Sequence, residues 1–304
     1  MAVLNSKAVL SIQSHVVFGY AGNTAAVFPL QRLGREVWAI NTVEFSNHTG
    51  YGSWKGKVLG AELAAELVTG LEERGVLGRC EAVLSGYLGD AACGRVIIDA
   101  VKKVKRENPN ALYCCDPVMG DTGRGFYVKP DIPAMFREEL IPLADIICPN
   151  QFELEALTGI SIKSVNDAAA AVNTLHEKGV LIVLVTSFKE TEGKLSMIAS
   201  DKTNCYKITT PELPLGDGVA GTGDMTSAVF LSHYLKTGDI EKTLEDCTAS
   251  VFGILEVSYN AAVSAQTNAS ANMNNNLHFE LQIIEAQQEL VSPSHFFKAE
   301  KINK

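Results

Sequence analysis

Gly216-Asp217-Gly218-Val219-Ala220-Gly221-Thr222-Gly223-Asp224-Met225-Thr226-Ser227-Ala228 is the stretch on which the reading of the fold turns. Small, flexible residues lead into a helical pattern that places Met225, Ala228, Val229 and Leu235 on one face. Closely spaced glycines let backbone N–H groups turn toward one point without Cβ clashes. The first amides of a helix lack intrahelical acceptors and lie at the positive end of its dipole, so loop and helix start together form an anion site. A carboxylate at Asp224 would repel a phosphate there unless it had a task, and accepting the proton of an alcohol that attacks phosphorus is such a task. A glycine turn with Asp224 capping the helix fits the same spacing. The rest of the chain has to choose between the two.

Working outward, short apolar runs bounded by turn residues alternate with helical ones. The strand-like runs are Ala8–Gln13, Val37–Asn41, Ala82–Ser85, Leu112–Cys115, Asp145–Cys148 and Leu181–Thr186; helical stretches lie near 23–34, 56–74, 91–107, 131–141, 151–158 and 166–178. This alternation predicts an α/β fold with a mainly parallel central sheet and helices on both faces, whose ligands collect at the carboxyl ends of the strands. Polar residues gather at those ends: Ser14 and His15, then Asn47 to Thr49, Tyr87 and Asp90, Asp116 and Asp121, Asn150 and Glu153, and Ser187. Lys194–Ser200 and Lys202–Ile208 read as a hairpin, 211–218 as a loop able to cover a nucleotide, and 222–237 and 241–258 as helices. Tyr259–Asn276 is rich in Ala, Ser and Asn and is expected to be a disordered insertion, after which Leu277–Glu289 resumes a helix. With no internal repeat and no linker, 1–304 is read as a single domain.

The 304-residue chain is 46% apolar and 20% charged, the profile of a soluble globular protein with a sizeable core. A net charge of −9 argues against nucleic acid or anionic membrane as the main partner. The seven cysteines are scattered, odd in number and form no C-x-x-C, which points to free thiols in a reducing, cytoplasmic setting. The six histidines show no metal-ligand spacing. The first apolar run, Ala8–Ile12, is too short for a signal-peptide core, and Val180–Val185 reads as a buried strand rather than a membrane span.

Several constellations carry chemistry. Gly19-Tyr20-Ala21-Gly22-Asn23 follows the first strand but lacks the dinucleotide spacing and its downstream acid, and no Walker lysine motif exists. Ser46-Asn47-His48-Thr49-Gly50-Tyr51 is either a polar turn or a loop that recognises a polar heteroaromatic ring, with Tyr51 or Tyr87 giving aromatic surface. Asp116-Pro117-Val118-Met119-Gly120-Asp121 sets two carboxylates after a strand, which suits Mg²⁺ beside phosphates or, more plainly, surface acids. Asn150 and Glu153 form a capping box at a helix start, and Glu153 could also reach a metal through water.

With these residues assembled, the chain resembles the pyridoxal kinases of the ribokinase-like superfamily. The resemblance runs through Ser11-Ile12-Gln13-Ser14-His15, Gly19 to Asn23, Phe45 to Tyr51, Ser85 to Leu88, Cys115 to Asp121, Pro149 to Glu153, Gly221-Thr222-Gly223-Asp224 and Glu280-Leu281-Gln282. It implies a ribokinase-like three-layer sandwich and ATP-dependent phosphorylation of the 5′-hydroxymethyl group of pyridoxal, pyridoxine and pyridoxamine. It further implies Mg²⁺, with K⁺ as an activator, and a homodimer. Carried over residue by residue, it places Ser14, Val43, Phe45, Thr49 and Tyr87 at the pyridine ring. Asp116, Asp121 and Glu153 serve the cation and phosphates. Asn150, Thr186, Ser187 and Thr222 serve the nucleotide, with the amides of Gly221 to Asp224 as the anion hole and Asp224 as the base. The stretches 209–220 and 259–276 depart from the family pattern. The rivals are a hydroxymethylpyrimidine kinase of the same fold, which would need different ring loops, and a catalytically silent vitamin B6-binding protein, which would be expected to have lost Asp224 or the glycines.

Overall fold

Alternation along the first strand already fixes both layers of the core. In β1 (Ala8–Phe18), Leu10 and Ile12 point into one apolar cluster and Val9 into the other, because successive strand side chains face opposite ways. The computed structural model describes residues 7–215, 219–268 and 280–303. After β1 come α1 (Asn23–Arg32), β2 (Glu36–Asn47), β3 (Gly56–Val58), α2 (Ala61–Glu73), β4 (Cys80–Ser85), α3 (Ala91–Glu107) and β5 (Leu112–Cys115). A small hairpin of β6 (Gly120–Asp121) and β7 (Gly125–Phe126) follows, then α4 (Ile132–Met135), β8 (Ile146–Ile147), α5 (Gln151–Thr158), α6 (Val165–Glu177) and β9 (Ile182–Phe188). The chain continues through β10 (Lys194–Ser200), β11 (Cys205–Pro211), α7 (Thr222–Thr237), α8 (Ile240–Asn268) and β12 (Glu300–Lys301).

The main sheet has ten strands in the order β12-β11-β10-β9-β8-β5-β4-β1-β2-β3. Pairing is parallel from β2 through β9 and antiparallel at both margins. Parallel strands buried on both faces need apolar residues at every position, and Val183 and Val185 enter one cluster while Ile182 and Leu184 enter the other. Helices α2, α3, α5 and α6 cover the first cluster; α1, α7 and α8 cover the second. From β1 the chain adds β2 on one side and later β4 on the other, so strand order reverses between β1 and β4. Ligands of open parallel sheets bind at such a switch point.

Three expectations change. The strand starting at Ala8 does not stop at Gln13: after a register shift between Gln13 and His15 it runs on to Phe18, paired with a β2 that reaches Asn47. Residues 259–268 are not disordered but continue α8, while 269–276 lie outside the described residues. Alanine is the strongest helix former, and a helix already nucleated by a packed segment extends without a second nucleation cost. The composition that looked too poor to fold is therefore sufficient. Within 280–290 the chain forms turns and a short 3₁₀ segment, Gln287–Leu290, rather than an α-helix; 277–279 are outside the described residues. Among the described residues no helix is long and apolar enough to cross a membrane. All seven cysteines are free and buried.

Candidate active site

Asp224 enters the site as the third residue of α7, after Gly221 at the N-cap. Its Oδ2 accepts the backbone N–H of Gly22 at 2.8 Å, while its Oδ1 is buried and has no hydrogen-bond partner among the described residues. Gly22 can come this close only as glycine. It has a φ of 56°, and a Cβ there would overlap the backbone oxygen and hydroxyl of Ser14. One contact thus joins the turn between β1 and α1 to the start of α7, 202 residues away in sequence. Burial raises the pKa of Asp224 above the ordinary carboxylate value, with the Gly22 amide opposing the shift.

Asp116, at the end of β5, lies beside this turn. Its Oδ2 accepts the Ser227 hydroxyl at 2.8 Å, and a Cβ on Gly223 would sit 3.8 Å from that same oxygen. Burial, and next the charge of Asp224, drive its pKa well above the usual range, against the Ser227 hydrogen bond. Glu153, also buried, accepts the amides of Met119 and Asn150, both at 2.9 Å, while Asn150 Oδ1 accepts the Glu153 amide at 2.9 Å. The capping box read from the sequence is therefore present. Burial and the charge of Asp116 still push the Glu153 pKa up despite the two amides. Asn150 Nδ2 donates to the Gly120 carbonyl at 2.8 Å and, at 3.4 Å, to Asp121 Oδ1, which ties the β6–β7 hairpin to α5. Burial raises the Asp121 pKa, with Arg124 lowering it.

The result is a wall of acids with more buried negative charge than its local donors neutralise. A cation or protons must balance it, since unpaired buried charge is costly. Among the described residues no three His, Cys, Asp or Glu side chains converge to hold a metal unaided. Such a wall fits Mg²⁺, which keeps several waters and binds through one or two carboxylates plus substrate phosphates.

On the opposite side, Ser14 and Val43 are buried and Tyr87 is partly so. The Thr42 hydroxyl donates to the Tyr87 carbonyl at 2.7 Å, joining the second strand to the turn after β4. Phe45 stacks obliquely on Trp54 at 6.0 Å, and Thr49 opens a short 3₁₀ turn, Thr49–Tyr51, with its own side chain exposed. Thr186 and Ser187 lie in β9, where the Thr186 amide reaches the Pro149 carbonyl at 3.0 Å, beside Asn150. The Thr222 hydroxyl donates to the Val219 carbonyl at 3.1 Å and closes the turn into α7.

The acids, the α7 turn and Ser14 thus come together, whereas among the described residues no hydrogen bond or ring contact links Thr49 or Phe45 to them. Sequence reasoning passed over Ser227 and Tyr127. Ser227 lies one turn beyond Asp224 on the same helix, and that i, i+3 spacing was the available signal. Tyr127 keeps 43% of its surface exposed, yet its hydroxyl is driven to a higher pKa by burial and then by the charges of Glu153, Asp121, Asp224 and Asp116.

Comparison with known proteins bears on this geometry. The sequence model of the family described as "Phosphomethylpyrimidine kinase" matches residues 62–272. Pyridoxal kinase PdxY of Rubrobacter xylanophilus is 46% identical over 298 residues, covering 97% of each chain. The chain belongs to the pyridoxal kinases. Pyridoxal kinase PdxY of Granulibacter bethesdensis is 48% identical, over 96% of this chain and 99% of that one. Among solved structures, pyridoxal kinase from Leishmania donovani in complex with ADP and pyridoxamine superposes with a TM-score of 0.87 at 29% identity, covering 98% of this chain and all of that one. Pyridoxal kinase from Entamoeba histolytica gives 0.84 at 27% identity, again over 98% of this chain. Membership accounts for the central sheet and for the motifs at its edge. The family-model match begins after Tyr51, so both ring-side motifs, Ser11–His15 and Ser46–Tyr51, lie outside it.

Proposed function

We propose that this chain transfers the γ-phosphoryl group of ATP to the 5′-hydroxyl of pyridoxal, and likewise of pyridoxine and pyridoxamine. The observation that carries the mechanism is the asymmetry of Asp224: one oxygen fixed by the Gly22 amide, the other buried and unpartnered. In this reading the free oxygen faces the substrate hydroxyl. As the hydroxyl oxygen bonds to γ-phosphorus, its proton passes to Asp224, the bond from phosphorus to the β-γ bridging oxygen breaks, and ADP leaves. A loose transition state lets the proton move late, so a carboxylate suffices as base. Burial strengthens it further by raising its pKa. The amides of Gly221 to Asp224 lie where negative charge gathers on the transferring group.

Asp116 would hold Mg²⁺, with Asp121 and Glu153 reaching it through water; the ion would neutralise the ATP phosphates. K⁺ enters only as the activator implied by family likeness. Asn150, Thr186, Ser187 and Thr222 are assigned to the nucleotide, and Ser14, Val43, Phe45, Thr49 and Tyr87 to the pyridine ring. Tyr127 joins the phosphate side. Val17 and Phe18, 75% and 59% exposed where β1 outruns the sheet core, support a homodimer joined along this edge. The single ten-stranded sheet supports one domain, and the seven free thiols support a reducing, cytoplasmic setting.

A coupled ADP-release assay over pyridoxal, pyridoxine, pyridoxamine, hydroxymethylpyrimidine and ribose tests the substrate class. Turnover is expected with the three vitamers. Faster turnover of hydroxymethylpyrimidine than of pyridoxal would overturn the reading in favour of a hydroxymethylpyrimidine kinase of the same fold.

A further inference from the structure

Glu280 has no part in the chemistry assigned above, yet its carboxylate is the meeting point of the 46–51 loop and the turn at residues 19–22. Oε2 accepts the Tyr20 backbone N–H at 3.0 Å; Oε1 accepts the Tyr51 hydroxyl at 2.7 Å and His48 Nε2 at 3.0 Å. The three donors lie 229 to 260 residues away in sequence. The approach is close enough that a Cβ on Gly19 would overlap the carboxylate itself. Only 15% of the Glu280 side chain is exposed. Burial alone would raise its pKa, but the hydrogen bonds from His48, Tyr51 and the Tyr20 amide outweigh burial and leave it below the ordinary value. The charge is thus kept and used. Charge-assisted hydrogen bonds are the strong ones, and three converge here.

The segments held are informative. His48 and Tyr51, with rings 4.6 Å apart, bracket the 3₁₀ turn that carries Thr49. Tyr20 stands two residues before Gly22, whose amide fixes Asp224. We propose that Glu280 is the positioning residue of the ring side. It sets the 46–51 loop against the 19–22 turn, so that the groups facing the vitamin ring keep one geometry. This rests on the substrate reading above. It adds a residue that touches neither vitamin nor nucleotide and yet governs affinity for the first alone.

Glu280→Gln keeps size and removes the charge, and its amide cannot accept from three donors at once. The KM for pyridoxal is expected to rise about tenfold or more, the loss typical of hydrogen bonds to a charged partner, with the KM for ATP within about twofold of the parent. Amide hydrogen exchange across 46–55 should quicken in the same variant without any substrate, while the first turns of α7 stay protected. Glu280→Asp should recover part of the pyridoxal KM, and Tyr51→Phe, which removes a single donor, should give a smaller rise while folding normally. Equal losses for both substrates, or unchanged exchange across 46–55, would overturn the proposal. The exchange measurement needs no turnover, so a parent enzyme that ignores pyridoxal would refute the substrate reading while leaving the anchoring role to be decided by exchange.

Discussion

Two carboxylates, Glu153 at the entrance of α5 and Glu280 behind the 46–51 loop, each gather several donors and end with opposite acidities. Glu153 accepts two backbone amides close by in the fold, but burial and the neighbouring Asp116 prevail and its pKa rises. Glu280 is met by the side chains of His48 and Tyr51 as well as by the Tyr20 amide; these outweigh burial, and its pKa falls. Counting hydrogen bonds does not set a carboxylate's charge. What sets it is whether the surroundings already hold negative charge. In the proposed reading the Glu153 region receives a cation, whereas the Glu280 carboxylate already has its three donors.

The largest effect that could break this contrast belongs to the acid-rich side. In steady-state assays Asp224→Asn should lower kcat by about 10²–10⁴, the usual cost of losing a general base, while the Glu280 variants spare most of kcat. Gly22 links the two regions. Gly22→Ala must move the turn away from Ser14 and withdraw the amide from Asp224, so kcat should fall about tenfold, as expected for about 1.4 kcal/mol lost from one hydrogen bond to a charged group. A parent-like kcat with a lowered melting temperature would mean that the turn serves stability alone.

Smaller effects sharpen the contrast. Asp121→Ala should raise the Mg²⁺ concentration needed for half-maximal rate about two- to tenfold, the range for a metal partner acting through water, and leave pyridoxal binding without nucleotide unchanged. An unchanged Mg²⁺ titration would return Asp121 to the surface. Glu280 offers the least and slowest change, read against pH. Its folded-state pKa lies below the ordinary 4.5, so its stabilisation is present in full above that value and is lost as pH falls through the lower folded one. Melting temperatures of parent and Glu280→Gln should differ near neutrality and converge in acid. A gap that stays constant into strong acid would show that the charge of Glu280 contributes nothing.

Much of this was legible in the chain before any geometry. The apolar runs gave the parallel sheet because strands buried on both faces tolerate little else, and Asn150 with Glu153 announced a capping box four residues long. Asp224 stood out because a carboxylate among phosphate-binding glycines needs a reason. What stayed hidden depends on folding partners. The Gly22 amide reaches Asp224 across 202 residues, and Glu280 meets Tyr20 across 260. No local period or spacing encodes such a pairing. The raised pKa of Asp224 is hidden for the same cause: its residue type suggests an ordinary carboxylate, and only burial in the fold shifts it. The error at 259–268 was of another kind, since reading that stretch by apolar content overlooked the helix it extends.

The central claim is that the unpartnered oxygen of Asp224 takes the proton of the vitamin's hydroxyl. The most direct test is a rapid-quench single turnover, with enzyme in excess over pyridoxal and ATP and Mg²⁺ saturating, on the parent and on Asp224→Asn, beside calorimetric affinities for both substrates. Asn keeps the shape and the acceptor for the Gly22 amide but cannot take the proton. Formation of phosphorylated product should slow by about 10²–10⁴ with both affinities within a few-fold of the parent. A chemical step within a few-fold of the parent would contradict the base assignment and leave Asp224 as the acceptor that ties the Gly22 turn to α7.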